Sequence, residues 1–196
     1  HRDLHLSIRR QRQMCIRDSE EIVKVFRKSG KSVPVYNDKH FSYSWKHAEW
    51  MYEQSREPDF PMMAGSSVPV TWRLPALEFR SGAPLTSTLG VGFSGVESYG
   101  FHTLEVMQTV AERRPGGETG VKSVQALKGE QAWAAARAGH WDYRLLRSAM
   151  DCVPDSRQAI QSLDQLQKAD PDAVVFLVDY CDGFQAASYL SRGMIN

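Results

Sequence analysis

The chain of 196 residues is 42% hydrophobic and 24% charged, with 24 Lys+Arg against 23 Asp+Glu and three cysteines. That is ordinary globular composition and excludes wholesale disorder. No apolar run nears the roughly 18 residues needed to cross a bilayer, and a formal charge of +1 gives no electrostatic reason to expect nucleic acid or an acidic membrane as partner.

Residues 1–19 (HRDLHLSIRRQRQMCIRDS) carry five arginines and two aspartates and keep no pattern for two helical turns, which leaves the remainder mildly acidic. Gln13-Met14-Cys15-Ile16-Arg17-Asp18 resembles the conceptual translation of a transposase mosaic-end adapter used in sequencing libraries, and Arg9 to Gln13 looks like a partial second copy. Residues 1–19 are therefore read as a non-native scar and kept out of fold reasoning. His1-Arg2-Asp3-Leu4 imitates a kinase catalytic loop, but Ile8 stands where the required Asn belongs and no Asp-Phe-Gly follows. Cys152 and Cys181 have no metal-ligand spacing and no obligatory pairing, so a reducing cytoplasm is the expected compartment.

From Glu20 the periodicity predicts a helix with Ile22, Val23 and Phe26 on one stripe and Gly30 as its C-cap. Ser32 to Tyr36 reads as a strand, Asn37-Asp38-Lys39-His40 as a polar loop, and Ser44 as the cap of a helix to about Arg56 that buries Trp45, Ala48, Met51 and Tyr52. Pro58 and Pro61 break that helix, and Phe60 to Ser67 reads as a second buried strand. Helix, strand, helix, strand with Gly or Pro at the joints indicates parallel strands with crossover helices. Residues 68–83 look like a connection into a second unit. There the expected elements are a strand over Leu85 to Phe93, a helix from about Tyr99 to Arg113, a strand over Gly120 to Leu127, helix over 130–150, and a hairpin from Ala173 to Leu190 turning at Cys181-Asp182-Gly183.

Ligands in open α/β sheets sit beyond the carboxyl ends of parallel strands, which puts Asn37, Asp38, Lys39 and His40 where an active site would be. A Lys between a carboxylate and an imidazole can have its ammonium held or tuned. His102 lies near the start of its helix, with Glu105 one turn on and able to orient it. Gly90-Val91-Gly92-Phe93-Ser94-Gly95 matches G-x-G-x-x-G, yet no acidic residue follows at the end of a second strand about 20 positions on, so close packing is the expected use of these glycines. Asp38-x-His40 with His47, His102 and His140 could build a metal site, but the other ligand pairs such sites use are missing, and no metal is expected. Trp72-Arg73 is a candidate substrate contact through its aromatic and guanidinium groups.

These pieces resemble the glucose–fructose oxidoreductase/inositol dehydrogenase/rhizopine-catabolism family of NAD(P)-dependent oxidoreductases. Pro34-Val35-Tyr36-Asn37-Asp38-Lys39-His40 looks like the family's Glu-Lys-Pro loop, and Ser98-Tyr99-Gly100-Phe101-His102 like its Asp-x-Gly-x-His segment. His40 replaces the motif Pro, and Ser98 the Asp. The resemblance implies the C-terminal part of a Rossmann-type parallel-sheet domain (20–70) followed by an α/β domain with an open, largely antiparallel sheet (71–196). It implies Lys39 and His102 as catalytic residues, Asn37, Asp38 and Lys39 as contacts of NAD or NADP, and a sugar or polyol as small-molecule substrate. The family's glycine-rich nucleotide loop would lie upstream, so the chain reads as a fragment of an oxidoreductase, itself inactive. The rival reading is a non-catalytic binding or scaffold relic of the same fold. The Ala173 to Leu190 hairpin is the expected surface for homo-oligomer formation.

Overall fold

The computed structural model describes residues 2–56, 59–153, 160 and 162–194, with side chains from Ile16 onward; the expected break at Pro58 lies outside the described residues. The chain divides into two compact units, His1–Ser66 and Ser67–Asn196.

The first unit opens with α1 (Arg2–Ser29). It starts well before Glu20, because residues 2–19 contain neither Gly nor Pro and are rich in good helix formers such as Arg, Gln and Leu. Its end is as expected: Gly30 sits at φ +64 with its N–H on the Phe26 carbonyl at 3.0 Å. Strand β1 (Val35–Asp38) begins three residues later than the predicted strand, since Pro34 has no N–H to give a ladder. Asn37 and Asp38 are consequently strand residues, not loop residues.

Helix α2 (Trp45–Arg56) follows, with the N–H groups of His47 and Ala48 both on the Ser44 carbonyl. Its buried stripe runs through Met51 and Ser55, one turn apart, while Trp45 and Tyr52, two turns apart on another stripe, are 82% and 55% exposed. The expectation that those two aromatics are buried is therefore wrong. Strand β2 (Met62–Gly65) pairs with β1 in parallel, Val35 opposite Met62 and Asp38 opposite Gly65. The predicted strand–helix–strand crossover is thus present, and Val23, Met51 and Phe60 form its core.

In the second unit a 3-10 turn (Val68–Val70) and an irregular segment lead to β3 (Ser87–Phe93), a π-helical turn (Val96–Gly100) and α3 (Phe101–Ala111). Then come β4 (Val121–Lys128), α4 (Glu130–Arg137), α5 (Tyr143–Asp151), α6 (Leu163–Ala169), β5 (Val174–Tyr180) and β6 (Gln185–Ser191). The strand order is β3-β6-β5-β4, with β3 parallel to β6 and the other two pairings antiparallel. The class is α/β, as the alternation of elements predicted. The β5–β6 hairpin closes where expected, Gly183 at φ +86 and Asp182 accepting the Phe184 N–H at 3.0 Å. Both its strands, however, lie inside the sheet. Among the described residues the free edges belong to β3 and β4, so a strand added to this sheet would pair there.

The run Val174-Val-Phe-Leu-Val-Asp-Tyr180 has an apolar residue on both sides of the pleat, which suits a strand covered on both faces. Val175 and Leu177, with Ala187 and Tyr189, meet α4, α5 and α6 through Trp133, Leu146, Met150 and Leu166. Val178, Tyr180 and Ala186 meet α3 through Met107 and Ala111. Helix α6 was not expected, although Ser162-Leu-Asp-Gln165 spells its reciprocal cap: the Ser162 hydroxyl accepts the Gln165 N–H, and the Gln165 side chain accepts the Ser162 N–H. Its far end is tied down by Asp170, which is 2% exposed and accepts the Tyr189 hydroxyl at 2.7 Å and the Arg192 N–H at 3.0 Å. Burial, and then the adjacent Asp170 charge, push the Tyr189 phenol far above its ordinary range.

The glycine-rich segment acts as a packing surface. Gly90 and Gly92 sit inside β3, opposite Ser188 and Leu190. A Cβ at Gly92 would lie 2.1 Å from Thr103 Oγ1, and one at Gly90 2.8 Å from the Thr103 carbonyl and 2.9 Å from Met107 Cβ. Gly92→Ala is expected to cost about 1–3 kcal/mol in chemical denaturation through overpacking, with Gly92→Ala/Thr103→Ala recovering part of it. An unchanged midpoint for Gly92→Ala would mean that α3 does not approach β3 this closely.

Candidate functional site

The predicted residues occupy two places, one in each unit. In the first unit, Lys39 stands just past the carboxyl end of β1, where a parallel strand delivers its loop to a ligand. Its N–H donates to the Gly65 carbonyl at 2.9 Å, and the Tyr36 hydroxyl donates to the same oxygen at 2.7 Å. The Asn37 amide donates to the His40 carbonyl at 2.9 Å and closes the turn. Held in this way, Lys39 adopts φ +96, a conformation that favours glycine. Its ammonium rests 2.7 Å from Asp38 Oδ1, with 46% of the Lys39 side chain and 67% of the Asp38 side chain exposed. An ion pair this exposed is weak, so the ammonium is directed and still open to a ligand.

In the second unit, His102 is the second residue of α3. Its Nδ1 lies 3.7 Å from Glu105 Oε2, and both side chains are largely buried. That separation exceeds a hydrogen bond, and Glu105 is a neighbouring carboxyl group one turn along the helix. The two side chains are neighbours at the spacing of one helical turn. The surroundings were not foreseen. The π-helical turn over Val96–Gly100 ends directly before α3, and Ser94 holds φ +74 with its carbonyl accepting Arg192 Nη1 at 3.1 Å. Phe93 and Tyr99 stack at 5.2 Å between centroids, and Tyr99 meets the His102 ring edge-on at 6.2 Å. A π turn and a non-glycine residue at positive φ both concentrate at functional sites. Neither leaves a sequence signal beyond Ser94 lying between Phe93 and Gly95.

Trp72 and Arg73 also lie in the second unit. Trp72 is fully exposed, and the Arg73 guanidinium turns back to the Leu77 carbonyl at 2.9 Å and to Glu78 at 3.4 Å. No group of three or more His, Cys, Asp or Glu able to hold a metal occurs among the described residues, and no helix there is long and apolar enough to cross a membrane.

No family model and no curated protein matches the chain. A solved structure described as "the putative dehydrogenase from Bordetella bronchiseptica RB50" is similar at 14% identity and a TM-score of 0.45, over 92% of this chain. The chain spans 42% of that structure's length.

Proposed function

We propose that this chain is part of an oxidoreductase that exchanges a hydride between NAD(P) and a hydroxyl or carbonyl carbon of a sugar or polyol. The observation that carries the reading is Lys39: a lysine kept at φ +96, beyond the carboxyl end of a parallel strand, where glycine would be easier. Backbone strain of this kind persists where the side chain is needed.

The residues fit one end of such a cofactor. Asn37, Asp38 and Lys39 offer an exposed cation, a carboxylate and an amide at a strand end. The pyrophosphate end has no cradle among the described residues, since Gly90 and Gly92 are inside β3 and covered by Thr103 and Met107. The cofactor, when bound, accepts or supplies the hydride. In this reading Lys39 places positive charge near a substrate oxygen on which negative charge develops. His102, in the second unit, is proposed separately as an acid/base group acting at Nε2.

Lys39→Gly tests the reading. It is expected to raise folding stability by up to about 1 kcal/mol, because glycine accepts the left-handed backbone, and to abolish hydride transfer in the full-length protein. A Lys39→Gly protein that still reduces its substrate at the parental rate would sink the assignment and favour the non-catalytic relic.

A further inference from the structure

Strands β3 and β6 run in parallel and finish together. Phe93 is opposite Ser191, so Ser94 and Arg192 are the first residues past the two carboxyl ends. There the β3 chain turns through Ser94 and Gly95 into the π-helical turn that delivers Tyr99 and then His102. The turn makes an unfavourable use of its residues. Ser94 holds φ +74, whereas Gly95, to which the left-handed region is open, sits at φ −78. Gly95 is needed in that extended form because its carbonyl accepts the N–H groups of Ser98 at 3.1 Å and Tyr99 at 2.9 Å and so opens the π-helical turn. The strained backbone falls on Ser94, and a serine stays there only when its surroundings hold it.

Arg192 supplies the hold. Its Nη1 donates to the Ser94 carbonyl at 3.1 Å, and its own backbone is anchored in the core. The Arg192 N–H meets both oxygens of Asp170, at 3.1 and 3.0 Å. Asp170 is in turn fixed by the Tyr189 hydroxyl on its carboxylate at 2.7 Å and by the Trp133 indole on its backbone carbonyl at 3.0 Å. A second point of β6 sets the same turn: a Cβ at Gly100 would lie 3.4 Å from Leu190 Cδ1. Between these two points stand the surroundings of His102. Tyr99 stacks on Phe93 and meets the His102 ring edge-on, and its carbonyl accepts the Thr103 hydroxyl at 2.9 Å.

We propose that Arg192 is a positioning residue for His102: by clamping the Ser94 carbonyl it keeps the turn in the one backbone path that sets Tyr99 against the imidazole. Without the clamp, Ser94 relaxes to negative φ and the chain enters the π-helical turn in another direction. The consequence for catalysis rests on the hydride-transfer reading; the positioning of the ring does not. Since Arg192 is exposed, water replaces its hydrogen bonds when it is removed, and the effect is local rather than a loss of the fold.

The test is aromatic ¹H–¹³C NMR of the whole chain at one pH, with the His102 signals identified by their loss in His102→Gln. Arg192→Ala is expected to displace the His102 ring signals, because the ring current of Tyr99 varies steeply with distance and angle, and to leave those of His47 and His140 in place. Arg192→Met, which keeps the stem and lacks a donor, should do the same. Arg192→Lys, which can still donate to one carbonyl, should keep the parental signals. Ser94→Gly combined with Arg192→Ala should bring the signals back at least in part, because glycine accepts φ +74 without a clamp. In the full-length protein, Arg192→Ala should lower kcat by up to about 10²-fold with KM little changed. Unmoved His102 signals in Arg192→Ala and Arg192→Met, an equal displacement in Arg192→Lys, a displacement shared by His47 and His140, or no recovery on adding Ser94→Gly would each overturn the proposal. Displaced His102 signals with a parental kcat would uphold the positioning and count against the hydride-transfer reading alone.

Discussion

Replacing His102 by glutamine is expected to lower the hydride-transfer rate of the full-length protein by about 10²–10⁴-fold, the usual contribution of a positioned acid/base group. Glutamine is close to histidine in size, and the His102 side chain is a quarter exposed at the start of a helix, so the fold should survive. The loss should fall on kcat and on kcat/KM alike, because a proton-transfer role is expressed only in the transition state. Glu105→Gln is expected to have a smaller effect, since Glu105 stands 3.7 Å from Nδ1 and acts through the imidazole. A His102→Gln protein with parental kcat would remove the acid/base assignment, whatever the role of Lys39.

Arg114→Ala is expected to be the most destabilising single change in the second unit, at about 3–5 kcal/mol. The Arg114 side chain is 2% exposed. Its Nε reaches Asp182 at 2.8 Å, Nη1 the Ala111 carbonyl at 2.7 Å and Nη2 the Thr119 hydroxyl at 2.7 Å. The guanidinium also lies 4.3 Å and 4.7 Å from the ring centroids of Tyr180 and Phe184. One side chain thus joins the end of α3, the segment before β4 and the β5–β6 turn. Lysine should not rescue it, since an ammonium cannot serve three separated acceptors in one plane.

Acidification supplies a second readout for this cluster. The hydrogen bond from Arg114 holds the Asp182 carboxyl below its usual range. A depressed carboxylate contributes stability above its unfolded value of about 3.9 and loses it as pH falls through the folded value. The gap between parent and Arg114→Ala should therefore narrow below about pH 4. Urea midpoints at neutral and acidic pH measure both effects, and an Arg114→Ala midpoint within about 0.5 kcal/mol of the parent would show that the knot carries no stability. Tyr180, in the same cluster, has its phenol pushed up to about 12 by burial and then by Glu118, so it stays protonated under these conditions.

Periodicity and punctuation in the sequence determined the succession of elements. The crossover through α2, the strand–turn–strand of Val174 to Ser191 and the α/β class follow from local rules: Gly or Pro at joints, continuous apolar runs where both faces are covered, and a cap at Ser44. The use of Gly90 and Gly92 as a packing surface was also legible, because their surroundings did not suit a phosphate loop. The candidate residues Asn37, Asp38, Lys39 and His102 were visible as residue types at strand and helix ends.

Only the tertiary structure decided which stripe of α2 is covered, because Trp45 and Tyr52 are as apolar as Met51 and their burial depends on where β1, β2 and α1 lie. The same holds for the positive φ of Lys39, imposed by the Gly65 carbonyl 26 positions later in the chain. The Arg114 knot unites residues from distant stretches, and a sequence carries no term for strand order. Local propensity acts within a few residues, whereas charge pairing, strain and side-chain burial are set by neighbours that folding brings in from elsewhere.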